Sequence, residues 1–169
     1  PDWIEIRNPN NQSLNLEGYG LSDDPADAMK WVFPAGVVVE PHSSVILMAS
    51  GRDIFDTQVE RWHTNFALNN AGESLALVAP DGLTVLDVLE NFPAQREDLA
   101  FGRSLTGEWA FLEPTPGDAN KSISYQGWLS PVTFSQTRGF FEQGFSLVLS
   151  HDEPDAEIWM SNNGGATEA

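Results

Sequence analysis

The sequence predicts an all-β protein: a β-sandwich of two packed sheets, followed by the start of a second small β domain. Short apolar runs alternate with turn-forming residues along nearly the whole chain. The 11 prolines and 14 glycines supply frequent turns, which favours short strands over long helices. Six tryptophans offer large packing anchors for a core between two sheets.

The first half of the chain contains four strand-like segments. Residues 3–7 alternate, with Ile4 and Ile6 on one face, and the following Asn-Pro-Asn-Asn breaks the strand as a turn. Residues 14–21 alternate loosely. A short strand at 30–33 ends at Pro-Ala-Gly, and the apolar run at 44–49 predicts an interior strand.

The next strands form a predicted hairpin. Leu75 and Leu77 alternate with small residues, Pro-Asp-Gly at 80–82 makes a turn, and 85–89 is the returning strand. Two further strands, at 101–102 and 109–112, precede a proline-rich stop at 114–117. Two segments could be helical or loops: 54–62 and 91–99.

The amino-acid composition changes after the proline-rich stop at 114–117, and this change predicts a domain boundary. We assign residues 1–121 to the first domain, 122–130 to a linker and 131–169 to a second, partial domain. Three strands are expected in the second domain, at 132–135, 145–149 and 158–160. A lone domain of roughly 40 residues seldom buries enough surface to fold, so this one is expected to be cut short. Because the chain starts at Pro1 without a methionine, we expect it to be part of a longer protein.

Charge and cysteine content exclude several classes of function. The formal charge is −17, from 25 acidic and 8 basic residues, which argues against binding to nucleic acids or anionic membranes. Cysteine is absent, so disulfides, zinc thiolate sites and cysteine nucleophiles are excluded. No apolar stretch approaches the roughly 18 residues of a membrane span, and we expect any signal peptide to lie outside this part of the protein.

Several pieces of residues 1–121 resemble the lamin tail domain as it occurs in secreted bacterial proteins. They appear in family order with family-like gaps: DWIEIRNPNNQSLNLEGYGLSDD (2–24), KWVFPAG (30–36), HTNFALNNAGESLALVAPDG (63–82), FGR (101–103) and PTPGDAN (114–120). The resemblance implies an immunoglobulin-like β-sandwich used for binding, without catalytic residues. The family usually begins with a further strand that is not found before Asp2, and its absence would leave a neighbouring sheet edge unpaired.

The second domain resembles the small β domain at the C-terminal end of chitobiases and hexosaminidases. The matching pieces are PVTFSQTRGFFEQGFSLVLS (131–150) and IWMSNNGGAT (158–167). The second piece departs from the family's aromatic-Thr-Asp-Gly pattern, with Ser161-Asn162-Asn163-Gly164 in its place. The resemblance implies a second small β-sandwich, of which this chain holds only the opening.

The sequence contains no motif for a nucleophile or a nucleotide-binding loop, so we expect no enzyme activity and no cofactor. Asp23, Asp24 and Asp27 form the densest acidic cluster, in a loop. Carboxylates and loop carbonyls suit Ca²⁺, which makes a calcium site the leading functional reading of this cluster. The structural alternative is a solvated loop whose aspartates cap turns.

Trp62 and Trp128 lie outside strong strand patterns and are candidates for ligand binding, because exposed indole rings stack on sugars. Trp31 and Trp109 lie within strand patterns and are expected in the core. The three histidines show no ligand spacing, and His63 is expected to have a structural hydrogen-bonding role.

We therefore expect a non-catalytic binding or architectural module of a larger secreted protein, located outside the cell or on its surface. Its partner would be an extracellular protein or a polysaccharide, and no nucleic acid or membrane. The alternative is a carbohydrate-binding accessory module of a larger hydrolase or kinase-like protein. An unpaired sheet edge also predicts association through strands, including association between two copies of the chain.

Overall fold

The structure, a computed structural model, describes residues 2–125, 127 and 129–161 of the chain. It divides into two compact units, Pro1–Tyr125 and Gln126–Ala169. The described residues contain strands and turns and no helix, which confirms the all-β fold class. Consequently no helix in these ranges has the length and apolar character needed to cross a membrane.

The strands of the first unit are short, and most end at turns. They are β1 (Asp2–Arg7), β2 (Leu14–Asn15), β3 (Gly20–Ser22), β4 (Trp31–Val32), β5 (Val38–Val39), β6 (Ser44–Ala49), β7 (Ile54–Asp56), β8 (Arg61–His63), β9 (Leu75–Val78), β10 (Val85–Leu89), β11 (Ala100–Arg103), β12 (Trp109–Leu112) and β13 (Ser124–Tyr125). The last of these pairs with β12, so the first unit extends beyond Lys121 into the predicted linker.

Two four-stranded sheets dominate the first unit. One has the order β1-β6-β8-β7, in which β6 and β8 are parallel and the other pairs are antiparallel. The other has the order β10-β9-β3-β4, with all pairs antiparallel. Strands β11, β12 and β13 form a three-stranded sheet, and β2 pairs with β5. The interior position of β6 agrees with its apolar sequence.

The hydrophobic core lies between the two four-stranded sheets. Ile4 and Leu47 of the first sheet and Leu21 and Trp31 of the second belong to one buried cluster, together with Phe33. The residues beside Ile4 and Trp31 on their own strands are more exposed, as expected for strands with one buried face. This packing of two sheets is consistent with an immunoglobulin-like β-sandwich.

The helical or loop alternatives for residues 54–62 were wrong, since β7 and β8 form an antiparallel hairpin here. Phe55, Val59 and Trp62 are spaced four and three residues apart, as on one face of a helix. The turn also lacks glycine, proline and asparagine. Pairing of β8 with the buried strand β6 supplies the backbone hydrogen bonds, so long-range pairing overrides the local pattern.

The second unit contains β14 (Thr133–Phe134) and β15 (Leu149–Ser150), which pair antiparallel. The strand expected at 145–149 therefore reaches the sheet only at its last residue, and that expectation was largely wrong. Residues 158–160 form no named strand, so this expectation was wrong too. Leu147 and Val148 are about half exposed in the described chain, which leaves little burial to hold a longer strand in place.

The predicted turn between β9 and β10 is held by the carboxylate of Asp81. Its Oδ1 accepts hydrogen bonds from the backbone N–H groups of Leu83 and Thr84, at 2.9 and 2.8 Å. Its Oδ2 accepts a hydrogen bond from the Thr84 hydroxyl at 2.6 Å. These hydrogen bonds hold the pKa of Asp81 below its usual value of 3.8, and the bond from the Thr84 hydroxyl has the largest effect.

Asp81→Ala should lower the Tm at neutral pH, because the turn loses an acceptor that the ionised carboxylate provides. The pKa of Asp81 is lower in the folded state than its ordinary value of 3.8, so the ionised carboxylate stabilises the fold above pH 3.8. This stability is lost as the pH falls through the folded-state pKa of Asp81. The difference in Tm between wild type and Asp81→Ala should therefore be largest near pH 7 and shrink below pH 3.8 in thermal melts. A difference that stays constant down to about pH 2 would contradict this role for the charge.

Candidate binding site

The acidic loop predicted to bind calcium joins β3 to β4, and its aspartates have separate structural contacts. Asp23 forms an ion pair with Lys30, at 2.7 Å between Oδ1 and Nζ, and its side chain is 10% exposed. The hydrogen bond to Asp23 raises the pKa of Lys30 against the opposing effect of desolvation. The Asp23 charge is thus already paired with a cation of the chain.

Asp24 and Asp27 organise the turn of this loop. Asp24 Oδ1 accepts a hydrogen bond from the backbone N–H of Ala26 at 2.8 Å, and the Asp27 N–H bonds to the Asp24 carbonyl at 3.1 Å. Both aspartates are exposed. Within the described residues no group of three or more His, Cys, Asp or Glu is arranged to hold a metal ion. The calcium site therefore stays a prediction.

Trp62 lies on the β7–β8 hairpin, at one end of the first sheet. Its register partner is Phe55, and the two ring centroids are 4.8 Å apart with the planes tilted by 51°. Trp62 is also paired with Leu47 of β6 and packs against the core. The aromatic pair therefore continues the core layer to the edge of the sheet, where Phe55 is 42% exposed.

Two apolar side chains of the same hairpin are also exposed. Ile54 is 37% exposed and Val59 is 57% exposed. Ile54 and Phe55 are consecutive on β7, so their side chains lie on opposite faces of the sheet. We call Phe55, Val59 and Trp62 the hairpin patch. Exposed apolar surface grouped on one element of an otherwise acidic protein is typical of a contact surface.

The hairpin is anchored at its base by hydrogen bonds to the core. Asp53 has a positive φ of 50°, its N–H bonds to the Thr64 carbonyl at 3.1 Å, and its Oδ1 accepts from the buried Trp31 indole at 3.1 Å. At the tip, Asp56 Oδ1 accepts from the Gln58 N–H at 2.9 Å, and Glu60 takes a positive φ of 51°. A left-handed Asp or Glu is uncommon and persists where surrounding contacts determine it.

His63 makes the structural contact expected of it. Its Nδ1 is 2.7 Å from the Ser50 hydroxyl, and the residue is 4% exposed. A serine beside a histidine could suggest a hydrolase, but a nucleophilic serine needs the histidine to be oriented by a third group. His63 Nε2 is buried without a hydrogen-bond partner in the described chain. Within the described residues, a third group that would orient the histidine as in a catalytic triad is not found.

Trp31 and Trp109 occupy different environments. Trp31 is 4% exposed, which confirms its place in the core. Trp109 is only partly buried, so its expected place in the core was wrong. Its ring is stacked with Phe101, with centroids 6.2 Å apart, and the Arg103 guanidinium lies 4.1 Å from its ring centroid. Trp128 lies outside the described residues, so its predicted role in ligand binding stays a prediction.

The second unit has an open apolar cavity of about 620 Å³. Phe134, Phe141, Phe145 and Leu147 line it, and Arg138 contributes a charged side chain. The Phe141 and Phe145 rings are 4.4 Å apart and each is about half exposed. The sequence pattern places these residues at strand or loop positions and gives no sign of the cavity.

The sequence pattern identifies Trp62 but not Phe55, the other half of the aromatic pair. Phe55 could have been found only by recognising that residues 55 and 62 are opposite each other in a hairpin. The turn of that hairpin, Thr-Gln-Val-Glu, has none of the usual turn-forming residues, so the register could not be inferred.

Comparison with known proteins identifies one relationship. A family model described as the Lamin Tail Domain matches residues 1–91, more than half of the chain. No curated protein and no solved structure matches the chain. The family match confirms the resemblance over residues 1–91 and does not reach residues 92–169, so the resemblance of the pieces at 101–103 and 114–120 stays a prediction. The likeness of the second unit to chitobiase C-terminal domains therefore stays a prediction.

Proposed function

Because the chain belongs to the lamin tail domain family, we propose that its first unit is a non-catalytic binding module. The module presents the hairpin patch to a partner as part of a larger protein that works outside the cell. Domains of this family are immunoglobulin-like modules, which suits an architectural role. The observation that carries the proposal is the Phe55–Trp62 pair, with Phe55 exposed and Trp62 partly buried, on a hairpin anchored to the core.

The patch has the features that a contact surface needs. Phe55 and Trp62 supply apolar area with few rotatable bonds, so little side-chain entropy is lost on binding. Arg52, Asp56 and Arg61 are charged residues on or beside the same hairpin, and Arg52 and Asp56 lie 3.8 Å apart as an ion pair. An apolar centre with a charged rim is the usual arrangement of protein interfaces.

Phe55→Ala should abolish binding through the patch without unfolding the chain, because this ring is 42% exposed and packs mainly on Trp62. A photo-crosslinking phenylalanine analogue at position 55 should crosslink to a component of the cell-surface fraction of the source organism. The matched control carries the same analogue at Leu105, which is 66% exposed and far along the chain. Similar crosslinking at both positions, or crosslinking that excess unlabelled wild type does not reduce, would contradict the proposed surface.

A polysaccharide is the second candidate partner, and the aromatic pair favours it. Ring faces of Trp and Phe stack on the apolar faces of sugars, as they do on other flat partners. Chito-oligosaccharide and cello-oligosaccharide, tested by intrinsic tryptophan fluorescence and affinity electrophoresis, should bind wild type and not Phe55→Ala. If neither sugar nor any other glycan on an array is retained, the carbohydrate alternative fails and a protein partner remains.

A further inference from the structure

The outer face of the second sheet, on the side opposite the core, carries a row of apolar residues. Leu21 of β3 and Leu77 of β9 are register partners and pack toward the core, so their neighbours along each strand point outward. Among these neighbours, Gly20 lies opposite Val78 of β9 on one side and opposite Val32 of β4 on the other. Val32 is 44% exposed. The row therefore crosses three strands on the face away from the core.

A bulge in β10 adds two exposed valines to this outer face. Val85 is opposite Val78, and Val88 is opposite Ala76, although the two β10 valines are three residues apart. The register shift between Val85 and Asp87 inserts an extra residue, so both valines share the face of their β9 partners. Val85 is 54% exposed and Val88 is 39% exposed. The bulge thus turns an apolar pair toward solvent at the edge of the sheet.

The side chain of Met29 lies across the centre of this face. A Cβ atom at Gly20 would lie 2.5 Å from the Met29 sulfur, so any side chain at position 20 would displace the methionine. A Cβ atom at Gly82, in the β9–β10 turn, would lie 3.4 Å from Met29 Cγ. Met29 is partly exposed, and methionine is common on binding surfaces because it is flexible and polarisable. The outer patch is defined as Met29, Val32, Val85 and Val88.

The two segments that border the outer patch are acidic. The loop that joins β3 to β4 contains Asp23, Asp24 and Asp27, and the β9–β10 turn contains Asp81. Lys30 is the one basic residue in these two segments, and it is paired with Asp23. Asp24, Asp27 and Asp81 are all exposed. An apolar surface bordered by negative charge is complementary to a partner that is apolar and basic.

We propose that the outer patch binds a basic amphipathic segment of another protein, which places apolar side chains on the patch and Lys or Arg beside the aspartates. A second copy of this chain does not fit, because two copies of charge −17 repel each other. Residues 122–169 contain six acidic residues and one basic residue, so this part of the chain lacks the complementary charge. The hairpin patch lies on the other sheet, so this inference does not rest on the proposed function.

Synthetic peptides test the apolar and the charged parts of this surface separately. A peptide of leucine and lysine with one apolar face should bind the whole chain in about 0.15 M salt and shift the NMR signals of the Met29, Val32 and Val85 methyl groups. The double variant Val32→Thr with Val85→Thr should bind this peptide about tenfold more weakly, because each change removes a methyl group from the contact. Threonine keeps the β-branched shape that suits a strand, and near-ultraviolet circular dichroism checks that the double variant is folded.

Val59→Thr, on the hairpin patch, is the matched control, because this valine is 57% exposed and the chemical change is the same. This control should bind the leucine–lysine peptide as wild type does. Equal binding of a serine–lysine peptide would show that net charge alone attracts the peptide and would overturn the outer patch. Equal binding of a leucine–glutamate peptide would overturn the charge complementarity. The proposal also fails if the leucine–lysine peptide does not bind, or if Val59→Thr weakens binding as much as the double variant.

Discussion

Phe33→Ala lowers the free energy of unfolding of the first unit by about 3–5 kcal/mol, a large share of the stability of a small domain. Phe33 is 1% exposed and belongs to the core between the two sheets. Its ring meets the Trp31 ring edge-on, with centroids 4.8 Å apart. Truncation removes this contact and leaves a cavity that the surrounding strands can fill only in part.

The measurement is urea unfolding followed by near-ultraviolet circular dichroism, which reports on the packing around Trp31. Val32→Ala is the matched control, because it changes the neighbouring residue, whose side chain is 44% exposed. The control should change stability by less than about 1 kcal/mol. If both variants lost similar unfolding free energy, the loss would come from any substitution in this segment and not from removal of the buried Phe33 ring.

Asn8→Ala should cost about 2–3 kcal/mol, although the residue it replaces is polar. Asn8 is completely buried. Its Nδ2 donates to the carbonyls of Gln12, Val39 and Glu40 at 2.8, 3.0 and 3.3 Å, and its Oδ1 accepts from the Asn10 N–H at 3.0 Å. Alanine would leave buried carbonyls without donors, and the turn after β1 would lose its link to β5.

Two variants distinguish this hydrogen-bonding role from a loss of volume. Asn8→Asp keeps the shape and the acceptor but has no amide to donate, so it should be at least as damaging as alanine. Asn10→Ala alters an exposed neighbour in the same turn and should be nearly neutral. Unfolding in urea gives all three values. A loss below about 1 kcal/mol for Asn8→Asp would show that the amide donors are dispensable.

The candidate site could be predicted from the sequence in part. Trp62 stands out because it lies outside a strand pattern, whereas Phe55 becomes its neighbour only when β7 and β8 pair. The acidic loop was recognisable from three aspartates, but the pairing of Asp23 with Lys30 was not. The helix-like spacing in 54–62 was misleading because pairing with β6, rather than local periodicity, determines the backbone there.

The amino-acid sequence by itself determined the all-β class, the positions of β1, β6, β10 and β12, and the Asp81 turn. Strand alternation and turn preference are local properties, so they can be read from neighbouring residues. Only the tertiary structure decided that Asn8 is buried and that Phe55 meets Trp62. These facts depend on contacts between residues far apart in sequence, such as Asn8 with Val39, and no local pattern encodes such partners.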